Sequence, residues 1–114
     1  MSIPASTVFE DSNHLDDMAE NAKLATSFLK ALGHEGRLMI LCYLASGEKS
    51  VTALEDLLSL RQPAVSQQLA RLRADGIIIA RRDGKTIYYT ISDERAQRMM
   101  ELVYEMFCAN EKVS

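Results

Sequence analysis

Residues 61–89 read RQPAVSQQLARLRADGIIIARRDGKTIYY, and their reading decides the fold. Pro63 stands where a helix begins, because the first turn has no intrahelical partner for the N–H that proline lacks. Val65, Leu69 and Leu72 then recur at helical spacing, an inward stripe that leaves Ser66, Gln67, Ala70 and Arg71 facing outward. Asp75-Gly76 ends this helix. Residues 77–80 and 86–91 are β-rich runs separated by Arg81-Arg82-Asp83-Gly84-Lys85, in which Asp-Gly is a hairpin turn signal. A helix followed by a basic two-stranded ribbon is the outline of a winged helix-turn-helix. Ser and Gln near a helix N-terminus reach base edges and phosphates in a major groove, and Arg and Lys on a hairpin suit the flanking backbone. Taken singly, these features describe a solvated helix face and a solubilising loop; their order along the chain is what favours DNA.

At 114 residues the chain fits one domain with enough apolar residues for a core. The net charge of −3 is unevenly spread: residues 61–90 hold six Lys/Arg against two Asp/Glu, a local +4 that leaves −7 on the remainder. Phosphate contact depends on that local field rather than on the total. No apolar run reaches membrane-spanning length, and MSIPASTVFEDSNHLDD lacks the basic start and apolar centre of a signal peptide, so the expected location is cytoplasmic. In that compartment Cys42 and Cys108 rest as thiols rather than as a structural staple.

Working outward, residues 1–11 are expected to form a flexible tail and residues 12–114 one DNA-binding and dimerisation domain. Ser12 or Asn13 can cap a first helix whose Leu15, Met18, Ala22, Ala25, Leu29 and Leu32 form a seam, packed on the core or on a twin helix in a dimer. Gly33 breaks it. A second helix over residues 35–45 contains LMILCYLA, apolar on nearly every side, and is expected to be the central buried one. Residues 46–49 turn the chain. Ser50 or Thr52 then caps a short helix through Leu58, with Leu54, Leu57 and Leu58 inward and Glu55-Asp56 outward. After the hairpin, Ser92 or Asp93 caps a last helix to about Asn110 with an apolar face of Ala96, Met99, Met100, Val103, Tyr104 and Phe107. That face suits a two-fold interface with the first helix, which sets two reading helices about one DNA turn apart; folding back on its own domain is the alternative. The expected fold class is mainly α with a small β-hairpin, in the order α-α-α-α-β-β-α, a homodimer through the first and last helices.

That order, with LGHEGRLMILCYL, QPAVSQQLARLRADGII and RRDGKTIYYTI, resembles the ArsR/SmtB family of dimeric bacterial repressors over about residues 20–110. The resemblance implies a helix from near Pro63 in the major groove, with Gln62, Ser66, Gln67, Gln68 and Arg71 as the reading set. It also implies a wing along the backbone, with Arg82, Lys85 and Tyr88 as candidates, and double-stranded operator DNA as partner. The family's best-known members sense metals. One of their sites uses cysteines at the start of the first helix of the helix-turn-helix, but VTALEDLLSL has neither Cys nor His; another uses Asp and His near the start of the last helix, where Asp93 remains but Arg95 and MMELVYEMFC bring no histidine. His14 and His34 are too few and too scattered for a Zn²⁺ set, and read better as a helix-start surface residue and a polar loop residue. No metal and no cofactor is expected.

The placement of Cys42 and Cys108, with the ending YEMFCANEK, looks like the sulfide- and persulfide-responsive subgroup of this family. By that resemblance the two thiols become linked through a polysulfide bridge that releases DNA, with persulfide or polysulfide donors as inducers. The residues alone say less. Free Cys is among the most buried residue types, so Cys42 between Leu41 and Tyr43 is by default a small core hydrophobe. Cys108, near a helix C-terminus with Glu105 and Glu111 nearby, sits where a thiolate is disfavoured. Geometry is the better source of selectivity: a plain disulfide requires Cα atoms ~4.4–6.8 Å apart, and inserted sulfur lengthens the reach. Competing readings are a metal-responsive or general redox-responsive repressor of the same fold, a winged helix used for protein docking, and a thiol enzyme. The last lacks a Cys-x-x-Cys pair or a His beside Cys108, so no activated nucleophile is visible and the chain is expected not to be an enzyme.

Overall fold

The computed structural model describes residues 12–59 and 62–109, without the side chains of 12–16, 62 and 63. Along these residues run helix α1 (Ser12–Leu32), helix α2 (Glu35–Leu44), strand β1 (Lys49–Ser50), helix α3 (Val51–Leu58), helix α4 (Gln62–Ala74), strand β2 (Ile78–Asp83), strand β3 (Thr86–Ile91) and helix α5 (Glu94–Phe107). The expected tail at 1–11, the capping side chains of Ser12 and Asn13, the side chains of His14, Leu15 and Gln62, and Asn110 with Glu111 lie outside the described residues.

The apolar run of α2 makes it the centre. Ile40, Leu41 and Leu44 are buried and meet Leu54 and Leu58 of α3, Val65, Leu69 and Leu72 of α4, Ile78 and Tyr89 of the sheet, and Ala96 and Met100 of α5. Each fully buried leucine or isoleucine contributes ~1.5–3 kcal/mol over an exposed one. Local signals set the ends of these helices. Ser50 caps α3 by accepting from the Ala53 N–H at 3.0 Å. Ser59 follows at φ 54, a left-handed turn residue that redirects the chain from α3 toward α4.

The three strands are antiparallel in the order β1-β3-β2. Ile78↔Ile91, Ala80↔Tyr89 and Arg82↔Ile87 pair on one face of the ribbon, and Ile79↔Thr90, Arg81↔Tyr88 and Asp83↔Thr86 on the other. Gly84 takes φ 64 at the first of two turn positions, as a two-residue primed hairpin requires.

Several expectations need correction. A two-residue strand, β1, pairs Lys49 and Ser50 with Tyr89 and Tyr88 where only a turn was expected; two residues carry no period to read. Strand β2 runs on through Asp83, so Arg81 and Arg82 are strand residues and the turn is Gly84-Lys85. Leu57 is 43% exposed rather than inward, because α3 turns only Leu54 and Leu58 fully onto the core. The final helix ends at Phe107, with Cys108 as its cap. Cys42 is exposed and not a core residue, since α2 faces the core through Ile40, Leu41 and Leu44. Among the described seam residues of α1 only Leu32 is buried; Met18 is half-buried, Leu29 is 52% exposed and Ala22 and Ala25 are open, so of the two placements expected for the seam the core takes only its end, where Phe28 and Ala31 also pack.

Candidate nucleic-acid interface and thiol pair

Burial of Val65, Leu69 and Leu72 rolls α4 so that Ser66, Gln67, Ala70 and Arg71 share its outer face. Arg71 Nε donates to Asp75 Oδ2 at 2.9 Å, an exposed i,i+4 pair that can be exchanged for a phosphate at small cost. Gln68 is placed differently. It is half-buried, and its Oε1 accepts from Arg37 Nη1 of α2 at 3.0 Å.

On the wing, Arg82 and Lys85 are exposed at the ribbon's end. Tyr88 is half-buried on the opposite face from Arg82, so the structure does not bring these two candidates together. Tyr88 instead meets Arg81, whose guanidinium carbon lies 4.7 Å from its ring centre. Arg81 also donates through Nε and Nη2 to the Glu48 carboxylate at 3.0 and 2.6 Å. The hydrogen bond from Arg81 holds the Glu48 carboxyl below its usual range, and Glu48 in turn raises Arg81. Sequence reading missed Arg81; the alternation of β2 places it with Tyr88, and that parity was the available signal.

Two capping residues fix the flanking helices. His34, expected as a polar loop residue, is the N-cap of α2, its Nδ1 accepting from the Gly36 and Arg37 N–H groups at 3.1 and 3.4 Å. Asp93 is the N-cap of α5, its Oδ1 accepting from the Arg95 N–H at 2.8 Å. That is a complete structural occupation for the one residue here that matches a metal-site position of the resembled family. Among the described residues no three His, Cys, Asp or Glu side chains are grouped to hold a metal ion. No described helix is long and apolar enough to cross a membrane.

Cys42 on α2 and Cys108 at the end of α5 are both free and exposed. Cys42 Sγ lies 3.8 Å from Sδ of Met100, a buried residue of α5. Although the residue as a whole is exposed, partial burial pushes the Cys42 thiol up, and the neighbouring Cys108 raises it further. Cys42 and Cys108 thus lie on two helices, α2 and α5, that are packed together, with the Cys42 thiol less acidic than an ordinary cysteine.

Residues 34–80 match the family described as "Bacterial regulatory protein, arsR family". The chain is 45% identical to the biofilm growth-associated repressor of Agrobacterium fabrum, over 86% of this chain and 84% of the relative. It is 41% identical to the transcriptional activator HlyU of Vibrio cholerae, over 83% and 88%. The solved structure of reduced HlyU from Vibrio cholerae superposes with a TM-score of 0.79 at 41% identity, covering 81% of this chain and 97% of that one. With that likeness spanning most of both chains and the winged helix-turn-helix that the chain folds into, this chain belongs to the arsR family of DNA-binding bacterial transcriptional regulators.

Proposed function

We propose that this chain is a homodimeric transcriptional repressor that binds double-stranded operator DNA and releases it when Cys42 and Cys108 are joined by a polysulfide bridge. The observation that carries the DNA reading is the exposed face of α4, with Ser66, Gln67 and Arg71, beside a wing bearing exposed Arg82 and Lys85. Gln62 belongs to the same face by sequence, and Tyr88 supports the wing through Arg81. Dimerisation is supported by what a single chain leaves uncovered: Leu24 and Leu29 on α1 and Leu102, Tyr104, Met106 and Phe107 on α5 are 47–66% exposed. Apolar surface of this kind on two helices beyond the core suits a second copy across a two-fold axis. A repressor of this kind acts in the cytoplasm, where its operator is.

For the thiols, the supporting observation is that Cys42 and Cys108 sit on two helices already in contact, α2 and the end of α5. A persulfide RSSH transfers one sulfur to a thiolate, leaving RSH and a protein persulfide; a second RSSH extends the chain by one more sulfur. The other cysteine then attacks the middle sulfur of Cys–S–S–SH and expels HS⁻. The sum is two cysteine thiols and two RSSH giving a trisulfide bridge, two RSH and one H2S, so the persulfide is itself the oxidant. Either cysteine can accept the first sulfur, and the other then closes the bridge. A coupling of about 1–3 kcal/mol between bridge and DNA changes affinity roughly 5- to 150-fold.

Mobility shifts on an operator fragment test this. Gln67→Ala with Arg71→Ala should abolish binding with the circular dichroism unchanged, and glutathione persulfide should release the parent protein but neither Cys42→Ser nor Cys108→Ser. Release of both serine variants would overturn the thiol reading while leaving the DNA reading intact. A metal-responsive regulator would instead release on metal titration, with both thiols unmodified.

A further inference from the structure

The guanidinium of Arg37, carried on α2, touches two other helices at once. Its Nε donates to the Ala31 carbonyl at 2.6 Å and its Nη2 to the Lys30 carbonyl at 3.2 Å, two acceptors at the C-terminal end of α1, the second of which also accepts from the Gly33 N–H at 3.3 Å. Its Nη1 donates to Gln68 Oε1 on α4 at 3.0 Å. Arg37 itself lies in the first turn of α2, where His34 caps its backbone N–H. A guanidinium is a planar fork with fixed directions, so fastening two of its nitrogens to α1 fixes where the third can hold α4.

We propose that Arg37 is a positioning residue for DNA reading: through Gln68 it sets the rotation and tilt of α4 against α1, and Gln68 serves this link rather than a base. This rests on α4 being the reading helix. Bidentate pairing of glutamine with adenine needs both the amide oxygen and the amide nitrogen at the base edge, and here the oxygen is turned inward onto Arg37. Gly36 fits the same account. A Cβ there would meet the His34 ring at 3.2 Å and Gln68 Cγ at 3.7 Å, so the start of α2 is packed closely against the Gln68 stem. The link also joins the two ends of the proposed machine. Helix α1 supplies an uncovered apolar face for a second copy, and a shift of α1 or α2 reaches the reading face through one side chain.

The test compares Gln68→Ala, Gln68→Glu and Arg37→Met on the full chain. Glutamate keeps an acceptor for Arg37 and strengthens it by charge, but places a negative group wherever DNA would have been read. Gln68→Ala and Arg37→Met are each expected to weaken operator binding roughly tenfold, with the double variant no weaker than the worse single one. Gln68→Glu should stay within about threefold of the parent. The loss should be uniform across operator base substitutions, with an unchanged slope of affinity against salt, because no base or phosphate contact is removed. Thermal melts identify a variant that fails to fold, and the Ala–Glu pair at position 68 decides the matter if Arg37→Met does. Gln68→Glu losing more than Gln68→Ala, or Gln68→Ala relaxing preference at one base pair, makes Gln68 a reader and overturns the proposal. A salt slope about one lower in Arg37→Met assigns Arg37 to a phosphate and overturns it too. Unchanged binding in Gln67→Ala and Gln68→Ala alike would instead overturn the reading role of α4.

Discussion

Replacing Asp93 tests whether the last helix is held by its cap or by a ligand. The Asp93 side chain is 14% exposed, and its Oδ1 accepts from the Arg95 N–H at 2.8 Å while Oδ2 accepts from Arg95 Nη2 at 2.9 Å. Removing an aspartate N-cap costs ~1 kcal/mol, and losing a negative charge at the positive end of the helix dipole adds ~0.5 kcal/mol. Asp93→Ala should therefore lose about 1.5 kcal/mol, and Asp93→Asn, which keeps an acceptor, about 0.5 kcal/mol. In a domain of this size ~1.5 kcal/mol lowers Tm by about 6 °C. The pH dependence is a second, independent reading. The Arg95 side chain holds the Asp93 carboxyl below the usual carboxylate range, against the opposing effect of its partial burial. A pKa depressed by folding stabilises fully above the unfolded-state value and loses its contribution as pH falls through the folded one. The gap between parent and Asp93→Asn should thus be full at pH 7 and close as the pH is lowered below about 4. Circular dichroism melts at fixed protein concentration measure both. Asp93→Ala melting within about 1 °C of the parent at pH 7, or a parent–Asn gap that widens in acid, would refute the capping account.

Other expectations follow from the same geometry. Arg82→Ala and Lys85→Ala should each weaken DNA binding by a similar factor on every sequence and lower the salt slope by about one, as measured by fluorescence anisotropy at several salt concentrations. Leu72→Ala, at a position with no exposed surface, should cost about 2–5 kcal/mol by urea denaturation through the cavity it leaves. Phe107→Ser, at a residue 66% exposed in the single chain, should leave the secondary structure intact and shift sedimentation velocity from dimer to monomer.

Much of the fold was legible because burial imposes a period. The stripe of Val65, Leu69 and Leu72 marks α4, the run around Ile40 to Leu44 marks the central helix, and Asp-Gly marks the hairpin. What escaped depends on tertiary placement. Cys42 is apolar in context yet exposed, because its environment is chosen by the direction in which α2 meets α5, and the composition of α2 gives no such direction. Leu57 shares the composition of Leu58 and differs only in which neighbour it faces. Strand β1 exists through pairing with Tyr88 and Tyr89, almost forty residues away in sequence, and not through any pattern of its own. At the interface the exposed faces of Ser66, Gln67 and Arg71 were readable from α4 alone. The inward turn of Gln68 was not, because it depends on Arg37 approaching from another helix. Likewise His34 caps through a ring nitrogen, a role that residue-type preference does not assign to histidine.

The most direct measurement of the central claim is intact and peptide mass spectrometry of the reduced protein after glutathione persulfide, peroxide or zinc, with a DNA mobility shift on each same sample. The account predicts a cross-link joining the Cys42 and Cys108 peptides with added sulfur after persulfide alone, and loss of DNA binding in that sample. Peroxide producing a direct disulfide as fast and as fully would contradict the geometric selectivity. Both thiols untouched while zinc releases the DNA would contradict the sensing role itself.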